Sequence, residues 1–293
     1  MKEFLIFRTD RVGDLLFSLI LVKIIKSNHP NSQITLITSE KNYEYAKTFK
    51  LIENIIILKN NIFSKIKLIL KLRKKKYEAI IIHDGKNRSK FVSYFLNAKK
   101  KIICVTNLID TQIEIIKKAC DQISLRYENN SLNFLDDRDY SLENIPFKNY
   151  LHLHFDEKWI HKEYIKKYIN IEPEKDDLIS FINNLLSYNN LIITTGKNEL
   201  KLLKEIKSKI NSKKVRIFAN QELLEIESIV FKADLLISCH GWITHIASAR
   251  NIKQIDIIDS SYPYNKWTSH LRNYKFLNRK PFKILSKEII NLI

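Results

Sequence analysis

Glycine, proline and methionine are all scarce in this 293-residue sequence, which contains four, five and one of them. Average usage would give about 20 glycines. Each of the four follows an apolar run typical of a β-strand, and they are Gly13, Gly85, Gly196 and Gly241. In a parallel sheet, ligands bind beyond the carboxyl ends of strands, where backbone must approach them closely. Any single one could be a turn glycine without a function, but two in each half indicate two crevices facing one another.

Cysteine is also rare, and this excludes several classes of protein. Cys104, Cys120 and Cys239 are odd in number and form no CxxC pair. A disulfide framework and a cysteine zinc site are therefore not expected, and a reducing cytoplasm is the simplest compartment. The apolar stretch at residues 15–22 is far shorter than the roughly 20 residues of a membrane span. The first residues also lack the apolar region and cleavage site of a secretory signal.

Acidic residues are outnumbered, which gives a formal net charge of +18. One interpretation is attraction to an anionic membrane surface, a phosphorylated lipid or nucleic acid. The other is a composition biased towards lysine, asparagine and isoleucine, and the sequence leaves both open. Nucleic acid is the weakest partner, because no zinc-finger spacing, RNP-like strand or basic zipper is present. The basic run at residues 73–76 is interpreted as a solvated helix end.

Strand-like and helix-like segments alternate along the whole sequence, which predicts an α/β fold with mostly parallel sheets covered by helices. The alternation weakens between residues 129 and 149 and then begins again. We therefore predict two doubly wound, Rossmann-like domains facing a central cleft. The N-terminal domain would span residues 1–148 and the C-terminal domain residues 149–293.

Asp14 lies where the first strand gives way to a helix, in the segment Arg8-Thr9-Asp10-Arg11-Val12-Gly13-Asp14. Gly13 would let the backbone turn tightly, and Asp14 would stand at the helix N-terminus with its carboxylate free to face the cleft. The helix dipole would stabilise this anion by about 0.3–1 kcal/mol. An ordinary N-cap is the alternative role, and spacing alone favours it.

Two further segments combine strand ends with groups that bind phosphate. Lys158 lies between a strand and a helix, where it could meet a phosphate as a point charge, although a lone lysine is more often a surface residue. At residues 238–249 a strand ends, Gly241 follows and a helix begins, an arrangement in which free N–H groups bind phosphate. His240 and His245 are five residues apart and would diverge on a helix, so no zinc pair is expected. Buried structural histidines are the alternative.

These segments resemble motifs of glycosyltransferase family 9, the heptosyltransferase-like enzymes that build the lipopolysaccharide core. The resemblance spans nearly the whole chain. It is carried by Arg8, Asp10, Arg11, Gly13 and Asp14; by His83-Asp84-Gly85 with Ser89; by Asp156-Glu157-Lys158; by Thr195-Gly196 with Glu199; and by residues 233–249.

The resemblance implies a two-domain GT-B fold and an inverting, metal-independent transfer of a sugar, with no cofactor besides the nucleotide-sugar donor. ADP-heptose is the donor it points to, and a lipid-linked or phosphorylated saccharide at the anionic inner membrane face is the acceptor. Asp14 would be the general base and Lys158 would stabilise the leaving diphosphate. The remaining donor-binding residues would be Gly196, Glu199, His240, Gly241, Trp242, Ile243, Thr244 and His245. The acceptor-binding residues would be Asp10, Arg11, Gly13 and Arg88.

One departure from the family pattern concerns the donor site. The family has Asp-Ser/Thr-Gly ahead of its helix, whereas this chain has His240-Gly241-Trp242. Trp242 stands at a small-residue position, where it would crowd the diphosphate or reshape the pocket. A non-catalytic or degenerate binding protein of the same fold therefore stays open as the alternative.

Overall fold

A computed structural model of the protein describes residues 1–105, 109–135, 138, 145–160, 168–196, 200–210 and 213–293. By its contacts the chain divides into two compact units. Unit 1 comprises Met1–Phe134 and Asn265–His270, and unit 2 comprises Leu135–Tyr264 and Leu271–Ile293. The sequence places the boundary between residues 148 and 149 instead. The short return to unit 1 has a packing reason, because the Trp267 and His270 rings contact Phe17 at centroid distances of 5.8 and 5.1 Å.

Unit 1 contains a five-stranded parallel sheet in the order β3-β2-β1-β4-β5. Its elements along the chain are β1 (Glu3–Phe7), α1 (Val12–Asn28), β2 (Gln33–Thr38), α2 (Tyr43–Ala46), β3 (Asn54–Ile57), α3 (Ile62–Leu72), β4 (Lys76–Ile82), α4 (Asn87–Tyr94), β5 (Asn97–Ile103), α5 (Gln112–Gln122), a 3₁₀ turn (Asn129–Leu132) and the returning helix α10 (Asn265–Thr268).

Unit 2 contains a six-stranded parallel sheet in the order β11-β10-β9-β6-β7-β8. Its elements are β6 (Tyr150–His154), α6 (Lys175–Tyr188), β7 (Asn190–Thr194), α7 (Lys201–Ile206), β8 (Val215–Phe218), α8 (Leu223–Phe231), β9 (Leu235–Cys239), α9 (Trp242–Ala249), β10 (Lys253–Ile258), β11 (Tyr274–Asn278) and α11 (Phe282–Leu292).

The central strands β1, β6 and β9 are buried almost throughout and mainly apolar because both faces of each sheet are covered. Residues 4–7 of β1 and all five residues of β9 are buried. Each unit has its own apolar core on the sheet, one around Leu5, Phe7 and Ile80 and the other around Leu153, Trp159 and Ile193.

The strand order places a crevice in each unit. In unit 1 the order reverses between β1 and β4, and in unit 2 it reverses between β6 and β9. In doubly wound sheets ligands bind outside the carboxyl ends of the two strands that flank such a reversal. Asp14 and Asp84 follow the first pair of strands, and Lys158 and Gly241 follow the second pair.

Candidate active site

The crevice of unit 1 is an open, highly polar cleft of about 810 Å³ at the carboxyl ends of β1 and β4. Five basic and three acidic side chains line it, so it favours an anionic ligand. The lining residues are Thr9, Asp10, Arg11, Asp14, Ser39, Glu40, Lys41, Leu58, Lys59, Asn60, Lys86 and Arg88.

Asp14 both caps its helix and faces this cleft. It is the third residue of α1, and its Oδ2 accepts a hydrogen bond from the Arg11 N–H at 3.4 Å. That distance is at the long limit for a hydrogen bond, so the contact is weak. Burial raises the pKa of the Asp14 carboxyl above its ordinary value, Arg8 opposes the rise, and Asp10 adds to it. A carboxylate with a raised pKa in a cleft has the properties of a general base.

A buried network fixes the floor of the cleft. The Arg8 side chain is buried, donates to Ser18 Oγ at 2.9 Å and pairs with Asp10 at 3.3 Å. Asp84 accepts hydrogen bonds from the hydroxyl groups of Thr9 and Ser89. These bonds tie the loop after β1 to the loop after β4, so the residues around Asp14 are held before any ligand binds.

Arg88 is positioned by neutral groups. Its guanidinium donates to Thr9 Oγ1 at 3.1 Å, to the Thr9 carbonyl at 2.8 Å and to Asn60 Oδ1 at 2.6 Å. No carboxylate in the described part of the chain pairs with it. Its positive charge is therefore available to an anionic ligand, whereas Lys86 is already paired with Asp10.

Gly13 and Gly85 differ in their backbone roles. Gly13 lies in the first turn of α1, and its φ is not positive, so the left-handed turn that would require glycine is absent there. Gly85 has a φ of +60°, and a Cβ at this residue would lie 2.9 Å from the Cys104 carbonyl oxygen. The strict requirement for glycine in unit 1 therefore falls on Gly85.

In unit 2, the loop after β6 holds the Lys158 ammonium in place. Asp156 is buried and pairs with Lys158 Nζ at 3.0 Å, and its Oδ1 accepts the Lys158 N–H at 3.2 Å. Burial would raise the pKa of Asp156, but Lys158 and His154 outweigh it and lower the pKa, so Asp156 stays ionised. Arg279, just after β11, donates to the Lys158 carbonyl at 2.8 Å.

Gly241 brings the start of α9 close to this ammonium. A Cβ added to Gly241 would lie 2.5 Å from Lys158 Nζ, so any other residue would displace the lysine. The N–H groups of Gly241, Trp242 and Ile243 have no hydrogen-bond partner among the described residues. Unpaired N–H groups at a helix N-terminus beside a lysine ammonium form an arrangement that attracts phosphate.

His240 is held by a buried carboxylate on the neighbouring strand. Its Nδ1 lies 2.6 Å from Asp256 Oδ2, and the same oxygen accepts the Tyr274 hydroxyl at 3.0 Å. Asp256 is fully buried, whereas His240 is partly exposed. A carboxylate on Nδ1 fixes the orientation of the imidazole ring, which leaves Nε2 for a ligand.

His240 and His245 do not diverge, so the prediction made from their spacing is wrong. That spacing predicts diverging rings, but the two ring centroids lie 5.6 Å apart, because His240 precedes α9 rather than lying on it. Among the described residues no group of three or more His, Cys, Asp or Glu side chains is placed to hold a metal ion. Metal independence remains a prediction.

The other predicted donor residues have different environments. Gly196 packs against the Glu157 carboxylate, Trp242 is half-buried, and Ile243 is fully buried. Both the N–H and the hydroxyl of Thr244 donate to the Gly241 carbonyl, so this N–H is already used. Glu199 lies outside the described residues.

Three positioning residues were not found by sequence reasoning: Asp256, Tyr274 and Arg279. Asp256 lies within a strand that reads as ordinary core, and the other two belong to β11 and its end, which the sequence pattern did not identify. A charged residue inside an apolar strand was the one available signal for Asp256.

No family model matches the sequence, and no curated protein matches it. Solved structures do match. E. coli heptosyltransferase WaaC with ADP is 12% identical, with 99% of each chain covered and a TM-score of 0.71. A glycosyl transferase family 9 structure from Veillonella parvula is 13% identical, covering 99% of this chain and 88% of that chain, with a TM-score of 0.68. A UDP-GlcNAc 2-epimerase from Methanocaldococcus jannaschii is 12% identical over 99% of this chain and 92% of that chain, with a TM-score of 0.59.

These likenesses confirm the predicted fold class, a two-domain GT-B fold, and they confirm the resemblance to glycosyltransferase family 9 at the level of fold. Transferases and an epimerase share this architecture. The fold therefore does not decide the reaction, which has to be argued from the site.

Proposed function

We propose that the protein is an inverting glycosyltransferase that moves a sugar from a nucleotide-diphosphate donor to a lipid-linked or phosphorylated saccharide of the lipopolysaccharide type. ADP-heptose is the first donor to test, because one structurally similar enzyme is a heptosyltransferase with ADP. The observation that carries the proposal is the convergence of Lys158, His240 and the unpaired N–H groups of residues 241–243 in unit 2.

In the proposed reaction Asp14 accepts the proton of an acceptor hydroxyl, whose oxygen attacks the anomeric carbon from the face opposite the donor diphosphate. The bond between that carbon and the diphosphate oxygen breaks, and the nucleotide diphosphate leaves with the electron pair. The Lys158 ammonium, the His240 ring and the first N–H groups of α9 stabilise the departing charge. Because these groups supply the positive charge, we propose that transfer needs no metal ion.

The acceptor would lie in the cleft of unit 1. Lys41, Lys59 and Arg88 line that cleft and would bind phosphate groups of the acceptor, with Asp10 and Arg11 beside the base. Open polar clefts of this kind suit saccharides, whose hydroxyl groups need many hydrogen-bond partners. We place the reaction in the cytoplasm, at the inner face of the membrane.

Two variants separate binding from chemistry. We expect Asp14→Asn to bind ADP-heptose normally and to lose about 10²–10⁴-fold in transfer rate, because the general base is gone. We expect Lys158→Ala to weaken nucleotide binding and lower the rate by about 10²–10³-fold. Calorimetry with ADP and ADP-heptose measures binding, and release of ADP in the presence of acceptor measures transfer.

The matched control is Lys232→Ala, which removes an exposed lysine of unit 2 remote from the crevice in sequence. Circular dichroism checks the fold, since Lys158→Ala leaves Asp156 without its cation. Nucleotide binding without turnover, with every donor and acceptor tried, would favour the alternative of a non-catalytic binding protein. The departure of His240 and Trp242 from the family pattern is the reason for considering that alternative. Conversion of UDP-GlcNAc by the wild type, with Asp14→Asn as active as wild type, would contradict the transferase proposal.

A further inference from the structure

Helices α3 and α4 of unit 1 pack against each other and expose large apolar side chains to solvent. Their inner residues join the core of unit 1, but their outer faces are not polar as a surface helix requires. Phe63 is 81% exposed and Tyr94 77% exposed. The exposed apolar residues of the two helices and the residue after them are Ile62, Phe63, Ile66, Leu70, Phe91, Tyr94 and Phe95. We call these the α3–α4 surface.

Apolar residues on the outer face of α3 follow helical spacing. Phe63, Ile66 and Leu70 are three and four residues apart, so they form one stripe along the helix. On α4, the Phe95 ring contacts the rings of Phe91 and Tyr94 at 5.3 and 5.2 Å, so the aromatic side chains form one group. Contiguous exposed apolar residues of this size mark an interaction site in a soluble protein.

The charge around the α3–α4 surface is of one sign. Between Glu53 and Glu78 the chain has eight basic residues and no acidic one, and between Asp84 and Asp110 it has six and none. Lys65, Lys67, Lys71 and Lys74 pair with no carboxylate in the described ranges. A partner must therefore offer both an apolar interior and negative charge.

We propose that the α3–α4 surface is a docking surface for an anionic lipid bilayer. Helices with Lys on one side and Phe, Leu and Ile on the other lie in the membrane interface, and Tyr is enriched at that depth. A second copy of the chain fits less well, because a symmetric dimer would bring the same basic surfaces together. Nucleic acid would satisfy the lysines but leave the aliphatic stripe of α3 exposed.

The acceptor cleft lies beside the docking surface. Leu58, Lys59 and Asn60 line the cleft, and α3 begins immediately afterwards with Asn61 as its N-cap. A molecule with a saccharide in the cleft could keep its lipid portion in the bilayer next to Ile62 and Phe63. The placement of an acceptor lipid beside the cleft rests on the proposed function, whereas the membrane contact of the α3–α4 surface does not.

Vesicle co-sedimentation without nucleotide tests the docking surface. One set of vesicles is pure phosphatidylcholine. In the other set, about one lipid in three is the anionic phosphatidylglycerol. We expect the wild type to bind only the anionic vesicles. The triple variant Phe63→Ser, Ile66→Ser, Leu70→Ser should bind about tenfold more weakly or worse, because its apolar stripe is gone. Replacing Lys67 and Lys71 by Ala should cost about fivefold for each charge.

The matched controls are Tyr188→Ser and Phe276→Ser for exposed apolar residues and Lys232→Ala with Lys253→Ala for exposed lysines, all in unit 2. They should bind vesicles as the wild type does. The proposal is overturned if the wild type does not bind the anionic vesicles. It is also overturned if all the α3 variants bind them as well as the wild type does. Concentration-dependent dimerisation that the triple variant abolishes would overturn the proposal in favour of a second copy of the chain. Loss of vesicle binding to a competing oligonucleotide of about 20 nucleotides, added at about equal charge, would overturn it in favour of nucleic acid. Calorimetry with ADP separates this outcome from failure of the transferase proposal, because none of the variants touches the donor residues.

Discussion

At the scale of single residues, the helix dipole and burial act in opposite directions on the ionisation of Asp14. As the third residue of α1 its carboxylate lies near the positive end of the helix dipole, which stabilises the anion. Burial works in the other direction and dominates, so the pKa of Asp14 is raised. A base with a raised pKa holds a transferred proton better than an exposed aspartate, provided that it is ionised at the working pH.

This balance predicts the pH dependence of transfer. The acid limb of the kcat/KM profile should lie above the ordinary range of an aspartate, because Asp14 must lose its proton before it can act as a base. Asp10 contributes to the raised pKa, so Asp10→Asn should move the acid limb to lower pH. Steady-state rates measured across the acid range test this, with Glu40→Gln, another acidic residue of the cleft, as the control. An acid limb that stays in place in Asp10→Asn would remove Asp14 from the role of the titrating base.

At the scale of secondary-structure elements, the donor site depends on how closely the loop after β6 approaches the N-terminus of α9. Gly241 has an extended backbone that any residue could adopt, with φ of 179°. Its lack of a side chain matters because Lys158 Nζ occupies the adjacent space. The glycine therefore keeps a cation against the helix N-terminus rather than shaping a turn.

A double-mutant cycle tests this interpretation. Gly241→Ala places a methyl group where Lys158 Nζ lies, so we expect the lysine to move and ADP to bind about tenfold more weakly, within the 0.5–3 kcal/mol coupling typical of contacting residues. In the Lys158→Ala background the same methyl group meets no ammonium and should cost little. Calorimetry on the four proteins gives the coupling. Equal losses in both backgrounds would mean that Gly241 acts independently of Lys158.

The elements also show what sequence reasoning could predict. Apolar isoleucine-rich runs predicted both sheets, because a parallel strand covered on both faces leaves a continuous signal. The strand ends then indicated Asp14, Lys158 and Gly241. Strand β11 was missed because its partly exposed Tyr274–Asn278 segment lacks the continuous apolar run of a strand that is covered on both faces. His240, the residue after β9, contacts Asp256 of the neighbouring strand β10 across 16 residues of sequence, and no local pattern encodes this contact.

At the scale of the whole molecule, the division of labour between the units can be tested without any acceptor. The groups proposed to bind the donor diphosphate all belong to unit 2, and the Asp14 cleft belongs to unit 1. No helix in the described part of the chain is long and apolar enough to cross a membrane.

Hydrogen exchange with ADP alone should therefore respond in one unit. A bound diphosphate engages the N–H groups of Gly241, Trp242 and Ile243, so we expect slower exchange at the start of α9 and in the loop at residues 156–159. The central strands β1 and β4 of unit 1 should exchange as before. Lys158→Ala should lose the protection at a given ADP concentration, and Lys232→Ala should keep it. Protection confined to the cleft of unit 1, with α9 unchanged, would show that the nucleotide binds unit 1. The proposed donor and acceptor sites would then have to be exchanged.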